Sequence, residues 1–146
     1  MSWITPITDR TVEDTRFARN NQGNEQNNKG SMNYDDLNRI ENNYKFLIEE
    51  LRKNAVSISR TYRVEDWNEQ SIPYVSDINR IRDNFNNLVV QFPFGIELPT
   101  FEPSNRLFYN EVNDWEKIEI EIRNALLRTE LSYRYCGTFD CGGDVL

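Results

Sequence analysis

The stretch Asn33-Tyr34-Asp35-Asp36-Leu37-Asn38-Arg39-Ile40-Glu41-Asn42-Asn43-Tyr44 decides the fold. Asn33 is a good helix N-cap, and Asp36, three residues on, sits where a carboxylate favours the positive end of a helix. From there Leu37, Ile40, Tyr44, Leu47 and Leu51 recur at alternating steps of three and four, which is one apolar stripe on a helix that ends near Lys53-Asn54. The motif then returns. Asp36-Leu37-Asn38-Arg39-Ile40 matches Asp77-Ile78-Asn79-Arg80-Ile81, and the match continues with Asn43 against Asn84, Tyr44 against Phe85 and Leu47 against Leu88. A weaker third copy places Tyr109-Asn110-Glu111-Val112-Asn113-Asp114-Trp115 against Tyr34 to Ile40; it keeps the acid, the apolar residue and the Asn but has Asp114 in place of Arg.

Each copy reads as a helix start. The second helix is expected from Ser71 or Pro73, proline being tolerated in a first turn, to a point before Pro93, with Ile78, Ile81, Phe85 and Leu88 inward. The third is expected from about Ser104 to Thr129, with Phe108, Val112, Trp115, Ile118, Ile122 and Ala125 as its stripe. Locally Ile118-Glu119-Ile120-Glu121-Ile122 alternates like a strand, but the breaker-free run that follows favours helix. One such helix cannot bury its stripe alone, so three similar helices sharing a core are expected: an all-α three-helix bundle with an internal repeat. The stripes read as core, with a partner-binding groove as the alternative. Asp36 with Arg39 and Asp77 with Arg80 are expected to pair within their helices, each exposed pair contributing roughly 0.3–0.5 kcal/mol.

Around the bundle, residues 1–30 read as an N-terminal arm and polar linker, 31–131 as the repeat bundle, and 132–146 as a turn-rich tail containing glycine and cysteine. Trp3-Ile4-Thr5-Pro6-Ile7 is extended, because the residue before a proline avoids the helical region. Thr8 or Asp9 is expected to cap a short helix from Thr11 to Ala18, and Asn20 to Gly30 reads as a flexible linker. The arm either reaches a neighbouring subunit or folds back on its own bundle. Between the helices, Val56 and Ile58 alternate with serines as a short strand or extended connector, Trp67 lies in a charged loop, and Phe94, Ile96 and Leu98 drape over the bundle.

Composition narrows the function. The 146 residues carry a net charge of −7, an apolar fraction of 38% and aromatics at 12%, spread along the chain. That argues for a single globular domain and against disorder. The acidic balance disfavours nucleic acid and anionic membranes as partners. No apolar run is long enough to span a bilayer, and Met1 to Arg10 lacks the pattern of a secretory signal.

The chain has no histidine, which removes the commonest general base and zinc ligand, so no catalytic, cofactor-binding or metal residue is assigned and no enzyme is expected. With 24 acids, chance carboxylate pairs are expected, and none stands in an apolar context that would raise its pKa by desolvation. The repeated Asn38, Asn79 and Asn113 read as structural amides that hydrogen-bond a neighbouring connector's backbone, with a ligand contact as the alternative. Cys136 and Cys141 read as free thiols, a disulfide formed after release, or ligands of a metal shared between subunits.

The opening Trp3-Ile4-Thr5-Pro6-Ile7-Thr8-Asp9-Arg10-Thr11, the helix start Asn33 to Asn43 and the ending Cys136-Gly137-Thr138-Phe139-Asp140-Cys141-Gly142-Gly143 together resemble a group of small proteins encoded in the tail modules of phages and prophages of Gram-positive bacteria. The resemblance spans nearly the whole chain through short motifs, and the third copy departs from Asn-Arg-Ile. It implies a virion structural protein near the tail tip, baseplate or receptor-binding fibre, assembled in the host cytoplasm. The partners it implies are other tail, baseplate or fibre proteins, and a second copy of this chain. An acidic protein that binds and inhibits a host factor is the alternative reading.

Overall fold

The computed structural model describes residues 3–20, 30, 32–54, 56, 58, 67–92 and 97–138, with side chains to residue 128. Four helices follow in chain order: α1 (Val12–Asn20), α2 (Tyr34–Lys53), α3 (Val75–Gln91) and α4 (Tyr109–Thr138). The class is all-α; the described residues contain no strand and no helix long and apolar enough to cross a membrane.

The N-terminus of α2 is a capping box, as its sequence predicts. Asp36 N–H donates to Asn33 Oδ1 at 3.0 Å, and Asn33 N–H donates back to Asp36 Oδ2 at 3.2 Å, so two backbone donors that the helix leaves unpaired are satisfied. Its end at Lys53, followed by Asn54, also agrees with the sequence. The other starts fall later than expected. Thr11 caps α1 in place of Thr8 or Asp9, exchanging hydrogen bonds with Asp14. At α3 the Asp77 carboxylate accepts from Tyr74 N–H, so Ser71 and Pro73 lie outside the helix.

Helix α4 begins at Tyr109, five residues after Ser104, and Phe108 at its threshold is 56% exposed rather than part of the stripe. The cause is upstream: Asn79 and Arg82 of α3 hold the Ser104 backbone in an extended course. At its far end α4 passes Thr129 and runs to Thr138, so residues 132–138 are helical and not turn-rich. No proline interrupts this stretch, and Gly137 falls only in the last turn, where its cost to the helix is small.

Leu37, Ile40, Tyr44, Leu47 and Leu51 of α2, Ile81, Phe85 and Leu88 of α3, and Val112, Trp115, Ile118, Ile122 and Ala125 of α4 join one buried cluster. At its centre the Phe85 ring stacks on Trp115 at 5.7 Å between centroids. Tyr44 meets Phe85 edge-on from one side and Phe101 meets Trp115 edge-on from the other. The connectors contribute too: Ile58 and Trp67 are buried, and Val56, Leu98 and Phe101 pack against the cluster. Phe94 and Ile96 lie outside the described residues.

Ion pairs link the N-terminal halves of the three long helices: Arg39 to Glu116, Arg80 to Glu41, and Arg82 to Glu111. The far end of α2 also meets the middle of α4, where Glu50, Lys53, Arg123 and Leu126 line a common groove. Helices α2 and α4 therefore run in the same direction, and α3 begins at the same end. The connector between α2 and α3 (residues 54–74) and that between α3 and α4 (residues 92–108) can each span well beyond a helix length at roughly 3.3 Å per residue, enough to return the chain to that end. Gathering three positive helix ends is offset by first-turn acids: Asp35 and Asp36, Asp77, and Glu111.

Candidate functional site

The repeated asparagines are amide clasps. Asn38 of α2 grips the backbone of Trp67 in both directions: its Nδ2 donates to Trp67 O, and Trp67 N–H donates to its Oδ1, each at 2.8 Å. Asn113 of α4 grips Arg10 in the same way, at 2.9 and 3.2 Å. Asn79 of α3 accepts from Ser104 N–H at 3.1 Å. Each repeated Asn thus holds the segment that leads toward the start of another long helix: Trp67 before α3, Ser104 before α4, and Arg10 before α1 and α2. Two further asparagines do the same elsewhere, Asn43 on Ile4 and Asn86 on Phe101. A side-chain amide matches one donor and one acceptor of an extended backbone, which is why Asn suits this task. The structural reading of Asn38, Asn79 and Asn113 agrees with this geometry.

The arm, residues 3–10, lies on its own bundle along the seam between α2 and α4. Trp3 meets Phe46 edge-on, and the Arg123 guanidinium stacks 4.7 Å above the Trp3 ring. Ile4 is clasped by Asn43, and Ile7 N–H donates to Glu116 Oε2 at 2.7 Å. Arg10, only 6% exposed, then inserts its guanidinium between Asp36 at 3.2 Å and Glu116 at 2.9 Å and donates to Ile7 O and Asn113 Oδ1. Arg39 reaches the same two carboxylates at 2.7 Å each. Burial alone would lower the Arg39 pKa, but the hydrogen bonds and charges of Glu116 and Asp36 outweigh it and hold the pKa above its ordinary value.

The Asp36–Arg39 pair is therefore not the exposed pair expected from the sequence. Arg10 of the arm and Glu116, 77 residues beyond Arg39 along the chain, close a four-membered charge cluster of two guanidinium and two carboxylate groups. In the second copy, Arg80 extends to Glu41 of α2, which also accepts from the Trp67 indole N–H. The third copy's departure has a counterpart. Where the first and third copies have Glu41 and Glu116, the second has Arg82, and where the first two have Arg39 and Arg80, the third has Asp114. Buried Arg82 pairs with Glu111 and donates to the Ser104 and Arg106 carbonyls, fastening the approach to α4.

Glu119 overturns the expectation that no acid is desolvated. It is fully buried, and neither carboxyl oxygen has a hydrogen-bond partner among the described residues. Burial first, and the Glu116 charge second, push its pKa well above the ordinary glutamate range; the neighbouring Asn43 amide and the Arg39 charge oppose them. The two guanidinium groups nearby are already matched by Asp36 and Glu116, so a third carboxylate would be uncompensated, which favours the neutral form of Glu119. The sequence hid this because Glu119 stands within an alternating Ile-Glu run that looks solvated. Its burial depends on α2 packing alongside.

No protein-family model, curated protein or solved structure matches the chain. Among the described residues no group of three or more His, Cys, Asp or Glu is placed to hold a metal ion. Cys136 falls within the backbone of α4, and Cys141 lies outside the described residues, so their pairing does too.

Two surface features remain. Ile72, Tyr74, Val75 and Phe108 are exposed at the starts of α3 and α4, beside a cleft of about 150 Å³ lined by Pro73, Ile78, Arg106 and Leu107. A larger groove of about 390 Å³ runs between the second halves of α2 and α4, past Phe46, Glu50, Lys53, Arg123, Leu126 and Leu127.

Proposed function

We propose that the chain is a non-catalytic structural protein of a phage or phage-like tail, a virion component that connects or decorates baseplate, tail-tip or receptor-binding fibre proteins. The observation that carries this reading is the sequence resemblance in Trp3 to Thr11 and Asn33 to Asn43, taken with what those residues do. Ile4, Ile7 and Arg10 seat the arm, and Asn33, Asp36, Asn38, Arg39 and Asn43 start α2 and clasp its neighbours. The motif residues are spent on a fixed internal framework, which suits a part whose work is to present a rigid surface.

Its partners on this reading are other tail, baseplate or fibre proteins and a second copy of the chain. The exposed apolar residues at the starts of α3 and α4 supply anchors of the kind found at interface centres. Quantitative mass spectrometry of purified tails tests the reading. A fixed copy number relative to the baseplate or fibre proteins is expected. Absence from particles, with the isolated chain tightly binding a host enzyme, contradicts it and favours the inhibitor.

A further inference from the structure

The cleft at the starts of α3 and α4 has apolar walls and a single charge. Pro73, Val75, Ile78 and Leu107 line it, and Arg106 is the only charged residue of its lining. Ile72, Tyr74 and Phe108 are exposed beside it. The Arg106 backbone donates to Ser104 Oγ and accepts from Arg82, and among the described residues its guanidinium meets no acid. The volume is about 150 Å³, the size of an apolar cavity that takes one aromatic ring. Such a cleft selects an apolar side chain with a carboxylate close by. The stretch Phe139-Asp140-Cys141-Gly142-Gly143-Asp144-Val145-Leu146 carries that combination and has no Lys or Arg. In an extended chain, residues two apart lie on one side, so Asp144 and Leu146 can face a partner together.

We propose that Asp144-Val145-Leu146 of a second copy docks in this cleft, with Leu146 between Pro73 and Leu107 and Asp144 on Arg106, joining copies head to tail. The same residues of the chain itself cannot make the contact. Helix α4 spans about 45 Å from Tyr109 to Thr138, and the cleft lies at its start. Residues 139–146 reach about 29 Å at most from its end. The 390 Å³ groove lies nearer to that end, but its basic groups are engaged: Lys53 pairs with Glu50, and Arg123 stacks on Trp3. A head-to-tail contact joins two different surfaces, so it closes a ring or continues as a filament. The inference goes beyond the tail reading and does not depend on it. The contact belongs to the chain itself, so purified protein tests it whatever tails contain.

The test is sedimentation velocity of the full chain in reducing buffer, at concentrations up to about 1 mM. The weight-average mass should rise with concentration. R106E and D144R should each weaken association at least about tenfold while keeping the helical circular dichroism, since each sets like charges together. L146S should weaken it as well by removing the apolar anchor. Mixed in equal amounts, R106E and D144R should regain association, because each then meets the opposite charge on the other. A parent chain that stays monomeric throughout overturns the proposal. So does association that R106E, D144R or L146S leaves unchanged, or a mixture no more associated than the two variants apart.

Discussion

Two regions of this molecule are equally closed to water and held by different physics. Around Phe85 and Trp115 the core is apolar, built from rings and branched side chains on stripes that repeat through three helices. Along the α2–α4 seam the interior is polar: Arg10, Asp36, Arg39, Glu116 and Glu119 all lie beneath or within the arm. The core gains from removing apolar surface and tolerates whatever fills the same volume. The seam gains little net energy from its charges, because desolvation offsets most of their attraction, but it is severe toward any change that leaves one charge alone. The core therefore gives the fold its stability, and the seam decides which segment lies where.

The contrast can be broken at several points, from the largest effect to the smallest. Trp115→Ala empties the centre of the core and should cost about 3–5 kcal/mol in denaturant unfolding, enough to leave the chain marginal or unfolded. Arg10→Ala leaves Glu116 and Asp36 sharing Arg39 alone. It should cost about 3 kcal/mol and free the arm, so that proteolysis near residue 10 accelerates while the helical circular dichroism is retained. Asn86→Ala removes both hydrogen bonds to Phe101 and should cost about 2 kcal/mol, read in the same denaturation experiment.

Gly30→Ala should lower the melting temperature through a loss of about 1–3 kcal/mol, because a Cβ there would collide with the α1 backbone at Asp14 and Thr15.

Glu119→Gln has the smallest effect and the opposite sign. The Glu119 pKa is raised on folding, so the stability it permits is complete below the unfolded value of about 4.3 and is lost as pH rises through the folded value. The variant should match the parent near pH 4 and exceed it at pH 7 by on the order of 1 kcal/mol. Equal stability of the two proteins at both pH values would remove the claim that this carboxyl is desolvated.

The core was legible in the sequence because it depends on period alone. Leu37, Ile40, Tyr44, Leu47 and Leu51 fall at helical spacing whatever surrounds the helix, and Asn33 with Asp36 announces its start. The structural use of Asn38, Asn79 and Asn113 was legible as well, because one amide type returning at one place in each copy implies a backbone partner. The seam was not legible. Nothing near Arg10 in the sequence shows that it will meet Glu116, 106 residues away, and that meeting is what buries both. Trp67 among charges and Glu119 among alternating glutamates look exposed for the same reason: their burial is decided by a segment from elsewhere. Phe108 differs in the other direction: the helical spacing continues the stripe through it, but α3 holds the preceding residues outside the helix and leaves it exposed.

The central claim is that asparagines on the helices fasten extended segments as firmly as secondary structure would. Amide hydrogen exchange at Arg10, Trp67 and Phe101 tests it most directly, because each of these N–H groups donates to an Asn side chain. The account predicts protection comparable to that of the interior amides of α2, and its loss at Trp67 alone in N38A. Exchange at the rate of an unstructured chain at all three sites would contradict it.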